Sequence, residues 1–262
     1  MLQRILAIFI RQMYLERHSP HRVLGMFYWP MMELFIWGLL TIYLNKIGGS
    51  QFNLVTILLS GLIFWNFFNR AQLSISISFL EDVWVRNVGN VFASPIRPME
   101  YLMGLILVSA FQTTISLTLI GSLAWVLWHL NIFQFGFWLL PFMASLFLTG
   151  WSLGILAVAI TLRLGPSAEI LAWALPVLIQ PLSAVFYPVE ILPKFFQIIS
   201  GALPTTYIFE GMRSIVLENN FVMTDLGWAF GLNALYFAIS IGLFLLSYRS
   251  VRRRGVLHRY SD

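Results

Sequence analysis

Cysteine is absent, which rules out a disulfide framework, a thiol nucleophile and any thiolate metal site. Lysine occurs only at Lys46 and Lys194, preceded by Asn45 and Pro193, so the chain has no G-x-x-x-x-G-K-[ST] loop to cradle the phosphates of ATP. HExxH is also missing, and His18, His21, His129 and His258 all fall in expected loops or tails. No catalytic centre and no metal site is expected. Glu190, Glu210, Glu218 and Asp225 read as solvated loop charge before they read as an acid/base pair. Charge itself is scarce, at 10% of residues, where a soluble domain carries about 25%.

Apolar sequence fills the gap: 59% of the 262 residues are hydrophobic and 16% aromatic. A membrane-spanning helix needs about 20 apolar residues. Six stretches are candidates: Val23–Leu44, Leu54–Phe68, Tyr101–Trp128, Trp138–Leu162, Ile170–Tyr187 and Leu226–Tyr248. The segments between them are too short for a separate soluble domain of ordinary size. The expectation is a single all-α integral membrane domain over residues 1–262.

If Met1 starts in the cytoplasm, thirteen of the sixteen Lys and Arg residues lie inside, and only Lys46, Lys194 and Arg213 lie outside. The positive-inside rule selects that split, so Met1 and Asp262 are both expected in the cytoplasm. The net charge of +5 sits mostly beside inner span ends and in the tail YRSVRRRGVLHRY. Orientation and anionic membrane lipid account for it, and no nucleic-acid partner is implied.

The N-terminal segment 1–22 has too short an apolar run for a signal peptide. Wound as a helix, LQRILAIFIRQM puts Leu2, Ile5, Leu6, Phe9 and Met13 on one face and Arg4 with Arg11 on the other. It is read as a helix along the cytoplasmic interface or as a peripheral helix packed on the spans. Pro20 then makes the corner into the first span, which carries Glu33 near its centre. An intramembrane carboxylate should face protein or a water-filled cavity, so Glu33 either lines a substrate path or bonds to a neighbouring helix. Trp29 and Trp37 could line such a path, or pack.

Leu54–Phe68 is followed by NRAQLSISISFL without Gly or Pro. The alternation of Ser74, Ser76 and Ser78 resembles a strand, but an open strand cannot sit in lipid, so the helix should continue. Arg70 then snorkels to water or points into the bundle. Pro176, Gln180 and Pro181 predict a kinked fifth helix, either as a hinge or for packing. Trp125, Trp128, Trp138 and Trp228 read as interfacial anchors.

Two segments remain. EDVWVRNVGNVFASPIRPMEYLMG, within the inner loop 81–100 and the start of the third span, mixes acids, bases and aromatics before Pro95 and Pro98. YPVEILPKFFQIISGALPTTYIFEGMR, in the outer region 188–225, is unusually apolar for a loop and should partly re-enter the membrane. Leu192–Ser200 offers one short helix, Thr205 or Thr206 can cap another, and Glu210 and Arg213 face each other at i,i+3.

In these segments, and in the order and sidedness of the six spans, the chain resembles the membrane subunits of type-2 ABC exporters, the polysaccharide/drug exporter permease family. The motifs are the inner pattern E…G…SP…E…G and the outer FYPVEILP…LP…TYIFEGMR. Ala202-Leu203-Pro204 stands where many members read Asn-Pro, while the Pro204, Tyr207, Glu210, Arg213 spacing is kept. The resemblance implies a half-transporter in the bacterial plasma (inner) membrane, paired with itself or a homologous permease. Two separate ATPase subunits would bind ATP and Mg, and this chain would hold no cofactor. It further implies a coupling helix at Glu81–Ser94 that docks on the ATPase, with Glu81, Asp82, Trp84, Val85, Arg86 and Val88 at the contact. The outer stretch would form re-entrant helices near an extracellular gate, so Gln180, Tyr187, Pro204, Tyr207, Glu210 and Arg213 join Trp29, Glu33 and Trp37 as candidate pathway or gate residues. An ion-coupled transporter using Glu33 and a noncatalytic membrane assembly protein are the alternatives.

Overall fold

Long apolar helices set the architecture. In this computed structural model, which describes residues 1–48, 54–218 and 223–253, every regular element is helical. They are α1 (Leu2–Arg17), α2 (Pro20–Gly48), α3 (Leu54–Trp84), α4 (Val88–Ala93), α5 (Pro98–Trp128), α6 (Leu139–Leu164), α7 (Ile170–Ile179), α8 (Lys194–Gly201), α9 (Pro204–Glu218) and α10 (Met223–Arg253). The tail expected to carry Arg254, His258, Arg259 and Asp262 lies outside the described residues, as do 219–222 of the outer region.

The shortest of the long helices, α6, has 26 residues. At about 1.5 Å per residue it exceeds the roughly 30 Å hydrocarbon core. By length and composition, four segments among the described residues can cross a membrane: Phe27–Ile47, Pro98–Trp128, Ile132–Leu164 and Met223–Arg253. The continuation of α3 through the serines is as expected: it runs unbroken for 31 residues. The fifth stretch is not one kinked helix to Tyr187. Pro176 is accommodated within α7, but the α-helix stops at Ile179, a 3-10 turn follows at Gln180–Leu182, and Ala184 takes φ +55°. Pro181 explains the stop, because it has no N–H to donate and its ring crowds the carbonyl four residues back.

At the centre, α3 packs between α5 and α6, and α10 packs on the far side of α6. The α3–α6 contact depends on Gly150 and Gly154. A Cβ on Gly150 would lie 2.9 Å from the carbonyl oxygen of Phe68, and one on Gly154 would lie 2.9 Å from that of Gln72. This is small-xxx-small packing, in which missing side chains let two backbones approach. Between α6 and α10, Asn233 donates to Ser145 Oγ at 2.7 Å and accepts from Thr149 Oγ1 at 2.7 Å.

The N-terminal helix buries a different face from the one its period suggested: Ile5, Ile8 and Gln12. It runs alongside α5. Arg4 pairs with Glu100 at 3.3 Å, Ile8 fills the space over Gly104, Phe9 meets Phe111 edge-on at 5.7 Å, and Glu16 accepts from Gln112. Thirteen residues of α1 thus track thirteen of α5, about 18 Å of helix, so protein covers the buried face. Arg11 forms a two-pronged ion pair with Asp82 of α3, with Nη1 to Oδ2 at 3.2 Å. Burial alone would lower the Arg11 pKa, but the hydrogen bond and charge of Asp82 outweigh it and raise it.

Candidate functional site

Asn66, Asn69, Arg70, Ser74, Ser78 and Glu81 recur along α3 at three- and four-residue spacings, which puts them on one face of the helix. That face borders a cavity of about 290 Å³ closed by α2 and by residues of α1, α5 and α7. Glu16, Trp29, Glu33, Gln112 and Trp173 complete its polar and aromatic lining. A second cavity of about 200 Å³ shares Glu33, Asn69, Leu73 and Trp173 and extends to Pro176 and Gln180 at the end of α7. Together they form one cleft along the inner face of α2.

Its polar groups are tied to one another. Asn66 Nδ2 donates to Glu33 Oε2 at 3.1 Å, so the carboxylate of the first apolar stretch both bonds to α3 and lines the cleft. Arg70 points into the bundle and does not snorkel: Nη2 donates to Gln112 Oε1 at 3.2 Å, and that same oxygen accepts from Ser74 Oγ at 2.6 Å. Arg70 therefore sits halfway along α3, away from the inner helix ends where the charge tally had counted it. Its Nε is buried without a partner. A guanidinium in this setting fixes the spacing of α3 and α5 and leaves a donor beside the cleft.

The other expected pathway residues divide. Trp29 is 68% exposed on the cleft wall, and Gln180 borders its far end. Trp37 is not in the cleft; it stacks on Phe186 with ring centres 4.5 Å apart. Tyr187, Tyr207, Glu210 and Arg213 build a clasp around the outer loop. Arg213 Nη1 meets Glu210 Oε1 at 2.9 Å, as the i,i+3 spacing anticipates, and Nη2 donates to the Ala184 carbonyl at 2.8 Å. Glu210 also accepts from the Val189 N–H at 2.8 Å, while the Tyr187 and Tyr207 hydroxyls donate to the carbonyls of Pro181 and Gly201. Pro204 opens α9 and lines an apolar cavity against α10. The Thr205 and Thr206 side chains do not serve as caps: Thr205 bonds to Ser183 at 2.8 Å, and Thr206 contacts Ser200 at 3.2 Å.

The inner loop differs from a single helix over Glu81–Ser94. Glu81 to Trp84 finish α3, Arg86 turns the chain with φ +56°, and α4 begins at Val88. Trp84 and Val85 are 50% and 66% exposed, Arg86 is exposed too, and the Trp84 indole N–H donates to Glu169 at 2.7 Å. Glu81 and Asp82 are buried, and Asp82 also accepts from the Tyr101 hydroxyl at 2.8 Å. Val88 lies in the core, 1% exposed, among Phe79, Tyr101 and Val251. Its apolar side chain is therefore spent on this chain's own packing, not offered to a partner.

Arg70, Gln112, Asn66, Asn69, Glu16 and Trp173 are the site residues that motif reading passed over. For Asn66, Asn69 and Arg70 the three- and four-residue spacing in α3 is the available signal; Glu16, Gln112 and Trp173 belong to other helices and carry none.

The family model of the ABC-2 type transporter matches residues 5–217, which takes in the cleft, the inner loop and the outer clasp. The chain is also similar to "Uncharacterized protein YhgE" of Bacillus subtilis (strain 168), 36% identical over 62 residues. That stretch covers 23% of this chain and 8% of the relative, so the chain spans a small part of that protein's length.

Proposed function

We infer function from one premise: this chain belongs to the ABC-2 type transporter family. It is a multi-pass membrane component of such a transporter. Its proposed role is to form the export passage with a second copy of itself or a homologous chain, crossing the membrane six times with both termini in the cytoplasm of a bacterial cell. Two separate nucleotide-binding subunits supply ATP hydrolysis and hold the Mg ion. The proposed cargo is amphipathic, a lipid-linked glycan or a drug.

The observation that carries this reading is the polar cleft between α2, α3 and α7 in a chain that is otherwise apolar. Ionisable groups inside a membrane are costly unless they face protein or water, so Glu33 and Arg70 beside an open cavity support a wet path. Trp29 and Trp173 add flat apolar faces suited to a sugar ring or an aromatic drug. Trp84, Val85 and Arg86 give an exposed apolar and basic tip for the ATPase subunit to grip.

Co-expression with the cognate ATPase tests the assignment. The chain alone should not hydrolyse ATP, and the co-purified assembly should contain two copies of each subunit. Trp84→Ala combined with Val85→Asp should weaken capture of the ATPase by about thirtyfold, the effect of losing one interface hot spot, without altering membrane insertion. Normal assembly and ATP-coupled export in that double variant would take the tip out of the mechanism.

Glu33 gives a second readout. Glu33→Gln keeps a bond to Asn66 and should preserve stability and export. Glu33→Leu leaves Asn66 with the Leu62 carbonyl alone and should cost about 1 kcal/mol, while export drops further than stability does. Export unchanged in Glu33→Leu, measured as cargo accumulated outside intact cells, would remove Glu33 from the path.

A further inference from the structure

At the end of α10, Arg249, Arg252 and Arg253 border a groove floored by Leu245 and Tyr248 and closed by Pro98 at the start of α5. All three arginines are exposed, and among the described residues none is paired with a carboxylate. The groove encloses about 620 Å³. Immediately along the same helix, Leu235, Ile239, Leu243 and Leu246 are exposed and follow one another at four, four and three residues. At about 100° per residue these four occupy one side of α10, and Arg249 and Arg253 continue that side. Arg249 and Arg253 therefore cap this apolar track, and Arg252 stands beside them over the groove floor.

We propose that this groove is a binding site for an anionic phospholipid, the arginines holding the phosphate headgroup and the leucine track holding an acyl chain. Guanidinium forks match phosphate oxygens, and an apolar run directly beneath them fits a lipid and has no use for a free anion. A soluble acidic surface would meet the arginines but would leave the track uncovered. The Tyr248 ring on the groove floor packs against Phe92 of α4, 5.0 Å between centres. Lipid occupancy thus bears on the short helix next to the exposed Trp84 tip.

Native mass spectrometry of the purified full-length chain, with phosphatidylglycerol or phosphatidylcholine added to the detergent, tests the site. One phosphatidylglycerol per chain should stay bound, and phosphatidylcholine should bind far more weakly. Each basic residue near a membrane surface contributes about fivefold in affinity, so the triple variant Arg249→Gln, Arg252→Gln, Arg253→Gln should lose about a hundredfold. The triple lysine variant, which keeps the charge, should retain most of the binding and controls for folding. Equal retention of the two lipids, unchanged binding in the glutamine variant, or lost binding in a folded lysine variant would overturn the proposal. Competition by glycerol phosphate as strong as that of the whole lipid would overturn it too, by assigning the site to a free phosphate.

Discussion

Gly154→Leu should abolish the folded protein. A Cβ at that position already meets the Gln72 carbonyl oxygen at 2.9 Å and Ile75 Cβ at 2.9 Å, and the first of these is backbone of the central helix, which has no rotamer to change. Overpacking a tight contact costs 1–3 kcal/mol, occasionally more. Leucine adds four carbons where no room exists for one, so α3 and α6 must separate. The expected result is loss of the monodisperse peak in size-exclusion chromatography of detergent extracts, with expression before extraction unchanged. Gly231 of α10 meets nothing within 4 Å, so Gly231→Ala should elute as the native protein does. A native profile for Gly154→Leu would mean that α3 and α6 are not in contact there.

Asp82→Ala should be nearly as damaging. Its side chain accepts the Arg11 guanidinium and the Tyr101 hydroxyl together and is 1% exposed, so truncation strands a part-buried cation and a buried phenol in one step. Breaking one side of a buried pair costs about 3–5 kcal/mol. Because Arg11 belongs to α1, the first consequence is release of that helix from α3. Protease cleavage within residues 1–17 should become rapid in the variant, and the melting temperature should fall. Asp82→Asn, which still accepts hydrogen bonds, should lose roughly half as much. Cleavage as slow as in the native chain would show that α1 is held by its apolar face alone.

The helices α5, α6 and α10 were readable because each is a long apolar run with no residue that must end it. For α3 the absence of Gly and Pro after Phe68 was enough. α7 was not readable to its end: Pro176 and Pro181 are the same residue, one tolerated inside the helix and one bordering its stop, and only the surroundings distinguish them. The buried face of α1 depends on Gly104, a residue distant in sequence that leaves a hollow for Ile8, so period alone could not choose Ile5, Ile8 and Gln12. Val88 was misassigned for a similar reason. An apolar side on a charged loop predicts a contact but not whose, and here the contact is internal. The cleft was half legible, since Glu33 announces itself as a carboxylate in an apolar run. Arg70 and Gln112 needed the pairing of α3 with α5 before they could be recognised as one network.

The attachment of α2 has a mechanical consequence. Only 17% of its apolar window is buried, against 56% for the window that contains α6. Its C-terminal half is keyed in by Leu34, by Thr41 and by Gly38 beneath the Trp128 ring. Its N-terminal half, from Gly25 to Glu33, borders the cleft, and Pro30 there removes one backbone hydrogen bond. Apart from the Glu33–Asn66 bond, α2 is thus joined to the packed helices α3 and α5 mainly through its C-terminal half. Of the four segments long enough to cross a membrane, the one in α2 would therefore give up the smallest buried share if it were displaced, and the cleft lies beneath it.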